Sequence, residues 1–294
     1  MMENQPQPGA CAALISSSLP MLLGGRYRLE RVLGEGGMGI VYRARDLLHE
    51  QFGEPRPLVA LKVLGESLAQ SQDAHLLLYK EFSLTRSLGH ARVVRVFSFD
   101  VDTASEVAFF TMELMSGATL DQLLFDCPRG VPWQELRRIA TGLLDALGYI
   151  HRQGVLHGDV KPSNVMLGDD GVRLFDFGLA QALAPPLSGL PALNPQRFTA
   201  WTPAYAAPEL LDGAPLSASS EVYGAACLVY DLALGRRSTQ GARLAPPRQL
   251  PRRCWPALKI ALNGDPQRRT ITLDELQVAM QCEHSVVGRW FAAR

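Results

Sequence analysis

Apolar and polar positions change rhythm several times along the chain, and each rhythm predicts an element. Tyr27, Leu29 and Val32 alternate with Arg28 and Arg31, a glycine cluster follows, and residues 40–44 alternate again. Two strands joined by a glycine turn fit that pattern. Residues 58–64 are a short apolar run broken only by Lys62, which predicts a buried strand. In 73–89 the apolar positions Ala74, Leu77, Leu78, Phe82, Thr85 and Leu88 have helical spacing, and 93–99 and 107–114 read as two more strands. Five strands and one helix make a small N-terminal lobe, residues 25–115.

After Ser116 the sequence becomes helix-forming. Residues 133–153 carry Leu136, Ile139, Ala140, Leu143, Leu144, Leu147 and Ile150 on one helical face, and 218–234 and 273–280 are further helical candidates. A mostly α-helical lobe over 116–281 follows, so the expected class is α+β. Three stretches lack periodicity: a leader at 1–24, a proline-rich loop at 184–195 and the Pro/Arg-rich stretch 235–256. Residues 282–294 form a C-terminal tail.

Composition narrows the function. Hydrophobic residues make up 47% and charged residues 20%, with 29 basic against 29 acidic side chains, as in an ordinary globular chain. Zero formal charge supplies no long-range field for a nucleic-acid backbone, so nucleic acid is not an expected partner. The five cysteines, Cys11, Cys127, Cys227, Cys254 and Cys282, form no C-x-x-C pair, and no apolar run is long enough to span a bilayer. A reducing, cytoplasmic location is the expectation. Only Lys62, Lys80, Lys161 and Lys259 are lysine in a chain that otherwise uses arginine, so each surviving lysine invites a chemical reason.

Gly34, Gly36 and Gly39 have the spacing G-x-G-x-x-G-x-V up to Val41, between two strands. A glycine hairpin lets backbone N–H groups approach phosphates without β-carbon clashes, although a hairpin without ligand has the same pattern. Lys62 inside an apolar strand needs an anion, and Glu81 in the following helix can supply it; a plain buried ion pair is the alternative. Then come His157-Gly158-Asp159-Val160-Lys161-Pro162-Ser163-Asn164 and, twelve residues on, Asp176-Phe177-Gly178. One carboxylate can orient a hydroxyl, Asn164 and Asp176 can offer oxygens to Mg²⁺, and Lys161 can neutralise charge on a transferring group.

With these motifs the chain resembles the protein kinase family, and within it the bacterial eukaryotic-like (Hanks-type) Ser/Thr kinases, over about residues 26–281. Thr202-Pro203-Ala204-Tyr205-Ala206-Ala207-Pro208-Glu209 resembles the family's substrate-binding segment, and Arg269 matches the arginine that pairs with Glu209. The resemblance implies a bilobal protein kinase fold and Ser/Thr phosphorylation of proteins with ATP and Mg²⁺, or Mn²⁺ in its place. It implies Gly34, Gly36 and Gly39 over the phosphates, Lys62 on the α and β phosphates with Glu81 holding it, and Asp159 as catalytic base. Lys161 would steady the γ-phosphate, with Asn164 and Asp176 on the metal. Adenine would lie against Leu33, Val41, Ala60 and Met166, hydrogen-bonding backbone near Glu113 to Met115, with Met112 at the back. Partners implied are Ser/Thr-bearing protein substrates and a cognate phosphatase.

Four departures from the family pattern carry expectations. Gly158 stands where the family has an arginine that binds a phosphorylated loop, so phosphorylation at Thr199 or Thr202 is not the expected main switch. Glu221 stands where the family has an aspartate that binds the catalytic-loop backbone, and its extra methylene is expected to loosen that anchor. The stretch expected to hold a substrate-docking helix, 236–256, is short and irregular, and the loop 49–57 has no assigned task. Two other functions remain open: a pseudokinase scaffold, and a small-molecule phosphotransferase, whose loop also reads His-Gly-Asp.

Overall fold

This computed structural model describes residues 21–36, 39–64, 74–183, 202–239 and 243–281. The leader through Pro20, the loop 184–195, Thr199, Trp290 and the tail 282–294 lie outside the described residues. The chain divides into two compact units, residues 1–86 with 95–115, and residues 87–94 with 116–294.

The first unit is an antiparallel sheet with helices. Its strands are β1 (Leu22–Leu23), β2 (Tyr27–Gly36), β3 (Gly39–Asp46), β4 (Leu58–Leu64), β5 (Val96–Asp102) and β6 (Val107–Glu113), in the order β1-β2-β3-β4-β6-β5. Period-two alternation gives the sheet two distinct faces. One face buries Leu23, Tyr27, Leu29, Tyr42, Leu61, Val63 and Phe109 as a continuous core. On the other, the register places Gly34 beside Val41, Val41 beside Lys62, and Ala60 beside Met112. Over it packs α2 (Ala74–Ser87), whose Phe82 ring lies 6.0 Å from Phe110.

Sequence and structure differ here in three places. The sheet begins inside the expected leader, because Leu22 and Leu23 pair with Arg28 and Tyr27 and Leu23 fills the core. The loop 49–57 opens on a short helix, α1 (Leu47–Gln51), started by the Asp46 carboxylate accepting the backbone N–H groups of Leu48 and His49. The fifth strand runs later than its apolar run suggests, since Val93 and Val94 bond Leu174 of the second unit's own structure.

The second unit is built on α4 (Trp133–Arg152), buried along the face that the periodicity marks. It packs against α6 (Ala218–Leu234), α8 (Leu273–Gln281) and the strand β10 (Gly171–Leu174). The remaining helices are α3 (Leu120–Asp126), α5 (Pro208–Leu211) and α7 (Trp255–Ala261). Two small ribbons complete it. One pairs β7 (Ala118–Thr119) and β10 with β9 (Val165–Gly168), and the other pairs β8 (Val155–Leu156) with β11 (Gln181–Ala182). These strands escape period analysis because each is two to four residues long. The described part of 236–254 contains no helix.

Candidate functional site

The glycine turn separates two kinds of glycine. A β-carbon on Gly39 would stand 2.2 Å from the Val63 carbonyl oxygen, so backbone packing alone demands glycine there. At Gly34 and Gly36 an added β-carbon would meet no atom within 4 Å. Their backbones face open space, as a surface approached by a ligand requires.

Lys62 and Glu81 are brought together. Lys62 Nζ lies 2.7 Å and 2.8 Å from the two carboxylate oxygens of Glu81, and both residues are buried. A buried ammonium held symmetrically by one carboxylate is fixed in place rather than neutralised by solvent. Leu33 is exposed, Val41 and Glu113 are half-buried, and Ala60 and Met112 are buried on the same face of the sheet as Lys62. In the second unit Met166 is half-buried in β9, where it pairs with Arg173 and Thr119.

The polar groups of the second unit converge on Asp159. Its Oδ2 lies 2.6 Å from Lys161 Nζ and accepts Asn164 Nδ2 at 3.1 Å, while its Oδ1 accepts the Thr202 hydroxyl at 3.0 Å. Lys161 Nζ also donates to Thr202 Oγ1 at 3.2 Å. His157, fully buried, orients this loop: Nδ1 accepts the Asp159 N–H at 3.2 Å and Nε2 donates to the Phe175 carbonyl at 3.1 Å. Those two partners select the neutral Nε2–H tautomer.

The end of the β9–β10 ladder ties Asn164 to Phe175, the residue before Asp176. Leu174 pairs with Val165, so the next residues face one another, and the Phe175 N–H donates to the Asn164 carbonyl at 3.1 Å. Asp176 takes a left-handed φ of 63°, a backbone conformation that a non-glycine residue seldom adopts. An amide oxygen and a carboxylate are hard donors of the kind Mg²⁺ takes when phosphates supply the rest of its shell. The residues present therefore fit that cation.

Glu221 is the hub that the chain pattern undervalues. One oxygen accepts the Gly158 N–H at 2.6 Å and the other meets His151 Nε2 at 2.7 Å, with Glu221 only 3% exposed. Burial pushes this carboxyl up, but the His151 hydrogen bond and charge and the Gly158 N–H outweigh it and hold Glu221 below the usual carboxylate range. The expected loosening is absent because the longer side chain reaches both partners at once. Gly158 itself has φ 82°, and a β-carbon there would stand 2.4 Å from the Leu179 carbonyl oxygen.

Two further supports sit around the segment 202–209. Tyr205 donates its hydroxyl to Asp231 at 3.1 Å, and burial raises the Asp231 carboxyl despite hydrogen bonds from Ser238 and Tyr205. Arg269 holds Glu209 through Nη1 at 2.6 Å and Nη2 at 3.1 Å, donates to the Asn263 and Ser219 carbonyls, and lies over the Tyr223 ring. Sequence reading misses His151 and Asp231, and gives Tyr205 no partner beyond its place in the segment. His151 pairs with a residue 70 positions away, a separation that no local spacing reveals.

Comparison with known proteins finds serine/threonine-protein kinases. The chain is 36% identical over 228 residues to the serine/threonine-protein kinase PkaA of Streptomyces coelicolor, covering 73% of this chain and 40% of PkaA. It is 33% identical over 221 residues to the serine/threonine-protein kinase PknB of Mycobacterium leprae, covering 74% of this chain and 33% of PknB. It thus spans less than half the length of these relatives. Among solved structures, a mutant form of the PknI kinase domain of Mycobacterium tuberculosis matches with a TM-score of 0.66 and 26% identity, over 91% of this chain and 98% of that one, giving the chain the bilobal protein kinase fold. The protein kinase domain profile matches residues 27–251, and the chain belongs to the protein kinase family.

Proposed function

We propose that residues 25–281 form an active Ser/Thr protein kinase domain that transfers the ATP γ-phosphoryl group to protein hydroxyls, its own included. The observation that carries this reading is the state of Asp159, whose carboxylate already accepts a hydroxyl, that of Thr202, while an ammonium and an amide hold its other oxygen. A carboxylate so placed can orient a substrate hydroxyl and take its proton.

The remaining roles follow the same chemistry. Mg-ATP supplies an activated phosphoryl group whose charge the protein must offset. Lys62, fixed by Glu81, binds the α and β phosphates, and Gly34, Gly36 and Gly39 offer backbone N–H groups. Leu33, Val41, Ala60, Met112 and Met166 line the adenine, with backbone donors and acceptors from Glu113 to Met115. Asn164 and Asp176 hold the cation, Mg²⁺ or Mn²⁺. Lys161 offsets charge developing on the transferred group, and the segment from Thr202 to Glu209 seats the substrate. Among the described residues no helix is long and apolar enough to cross a membrane. A cytoplasmic location and a cognate phosphatase belong to the same proposal.

A pseudokinase scaffold is disfavoured because each charged position has a partner suited to chemistry: Lys62 to Glu81, and Asp159 to Lys161 and Asn164. The test is phosphopeptide mapping by mass spectrometry after incubation with Mg-ATP and a generic Ser/Thr protein. Phosphoserine and phosphothreonine should form with the native chain and vanish with Asp159→Asn and Lys62→Ala. Equal silence of all three would favour the scaffold, and phosphate found only on small molecules would favour the other transferase class.

A further inference from the structure

We infer that the basic face made by Arg129, Arg236, Arg237 and Arg248 docks an acidic segment of the protein substrate, an inference that rests on the kinase reading and gives it a substrate class. Charge is balanced over the whole chain but not along its length. Residues 232–264 carry seven basic side chains and no acidic one, whereas the rest of the chain carries 22 basic against 29 acidic. All seven are exposed.

The fold gathers part of this charge into one place. A β-carbon on Gly235 would collide with the Gly130 nitrogen, and one on Gly130 would collide with the Ala233 carbonyl oxygen and come within 3.0 Å of the Gln249 side chain. Gln249 Nε2 in turn donates to the Arg129 carbonyl at 3.3 Å. Arg129, Arg236 and Arg248 are the chain neighbours of these packed residues, and Arg237 follows, so four exposed arginines from three segments surround Gly130. The φ angles of Gly130 and Gly235, 87° and 74°, allow this close packing, and binding need not first order the backbone beneath the arginines. Among the described residues none of the four forms an ion pair. Asp121 and Asp126 of α3 line a groove with Arg236 and Arg237 without pairing with either, and they mark where the basic face ends.

This face adjoins the segment proposed to seat the substrate. Thr202 donates to Asp159, and Tyr205, three residues on, donates to Asp231. The Asp231 carbonyl accepts the Arg236 N–H at 3.3 Å, and its carboxylate accepts the Ser238 N–H at 2.8 Å. The charge of Arg237 reaches Tyr205 itself. A continuous line of contacts thus runs from the hydroxyl-orienting carboxylate to the arginines.

The chemistry of the face selects carboxylates. A guanidinium fork donates to both oxygens of one carboxylate, and an ammonium does not. A single exposed ion pair contributes little, so selectivity requires several carboxylates to meet several arginines together. A nucleic acid would carry its charge past this face onto a remainder richer in acidic than in basic side chains. A short acidic run ends within the face. The matching partner is a protein with clustered aspartates or glutamates near its Ser or Thr.

The test is fluorescence anisotropy of a labelled decapeptide of alternating glutamate and alanine, and of its glutamine counterpart, titrated with the full chain. It requires neither ATP nor phosphoryl transfer, so failure here is distinguishable from failure of the kinase reading. The glutamate peptide should bind about tenfold or more tighter at low salt. In about 1 M salt, where screening acts within about 3 Å, that difference should vanish. Arg236→Gln, Arg237→Gln and Arg248→Gln together should erase the preference with unchanged melting temperature, because all three side chains are exposed. With Mg-ATP, the same glutamate run joined to a threonine peptide should lower that peptide's KM several-fold at unchanged kcat. Equal binding of the two decapeptides, a preference that survives the triple substitution, or transfer whose KM ignores the acidic run would overturn the assignment. So would displacement of the labelled peptide by single-stranded DNA at lower concentration than by unlabelled peptide, or self-association of the chain abolished by the same three substitutions.

Discussion

Replacing Glu221 by alanine tests the architecture of the loop 157–164 without touching any group proposed to meet substrate. The substitution strands the Gly158 N–H, which Glu221 accepts at 2.6 Å, and the His151 ring, which it meets at 2.7 Å. A buried backbone donor left without a partner costs about 1–3 kcal/mol. Removing one partner of a buried, hydrogen-bonded charge pair costs about 3–5 kcal/mol in all. At about 2–4 °C per kcal/mol for a domain of this size, Glu221→Ala should melt roughly 10 °C below the native chain. Glu221→Asp, a methylene short of holding both partners, should fall between them.

The pH dependence has a defined sign. The folded Glu221 carboxyl is depressed below its ordinary 4.5, so its stabilisation is present above that value and is lost as pH falls through the lower folded pKa. The stability gap between the native chain and Glu221→Gln should therefore shrink under acid conditions. Urea unfolding at several pH values reads both effects. A Glu221→Ala midpoint indistinguishable from native at neutral pH would refute the reasoning.

Other substitutions separate packing from ligand contact. Gly39→Ala should lower the melting temperature markedly, whereas Gly34→Ala and Gly36→Ala should leave it unchanged and raise the KM for ATP, since of these three only Gly39 has backbone at its would-be β-carbon. Gly158→Arg, which installs the family's usual residue, should destabilise by about 1–3 kcal/mol in chemical denaturation, because φ 82° and the Leu179 carbonyl both oppose a side chain. Glu81→Gln should lower kcat/KM at least tenfold by freeing Lys62, with little effect on peptide-substrate KM. Thr199→Ala should leave the activity of purified protein within a few-fold of native; a loss of about a hundredfold would restore loop phosphorylation as the main switch.

Local chemistry was legible in the sequence wherever a residue announced its own need. Lys62 stood in an apolar strand and required an anion, and Glu81 supplies it. The long apolar face of α4 predicted its own burial. What stayed hidden depended on distant partners or on elements too short to have a period. The two-residue strand β1 buries Leu23 inside a stretch whose composition reads as leader. Glu221 looked like an imperfect aspartate until His151 came beside it, because the length of a side chain is a defect only relative to what it must reach.

The central claim is that Asp159 orients a protein hydroxyl for phosphoryl transfer. The most direct measurement is the rate of transfer from γ-labelled ATP to a Ser/Thr protein substrate by the native chain and by Asp159→Asn, with both shown to be folded by their melting curves. The account predicts phosphoserine or phosphothreonine formed by the native chain and a rate lower by about 10²–10⁴ in the variant. Equal rates in the two proteins would contradict it.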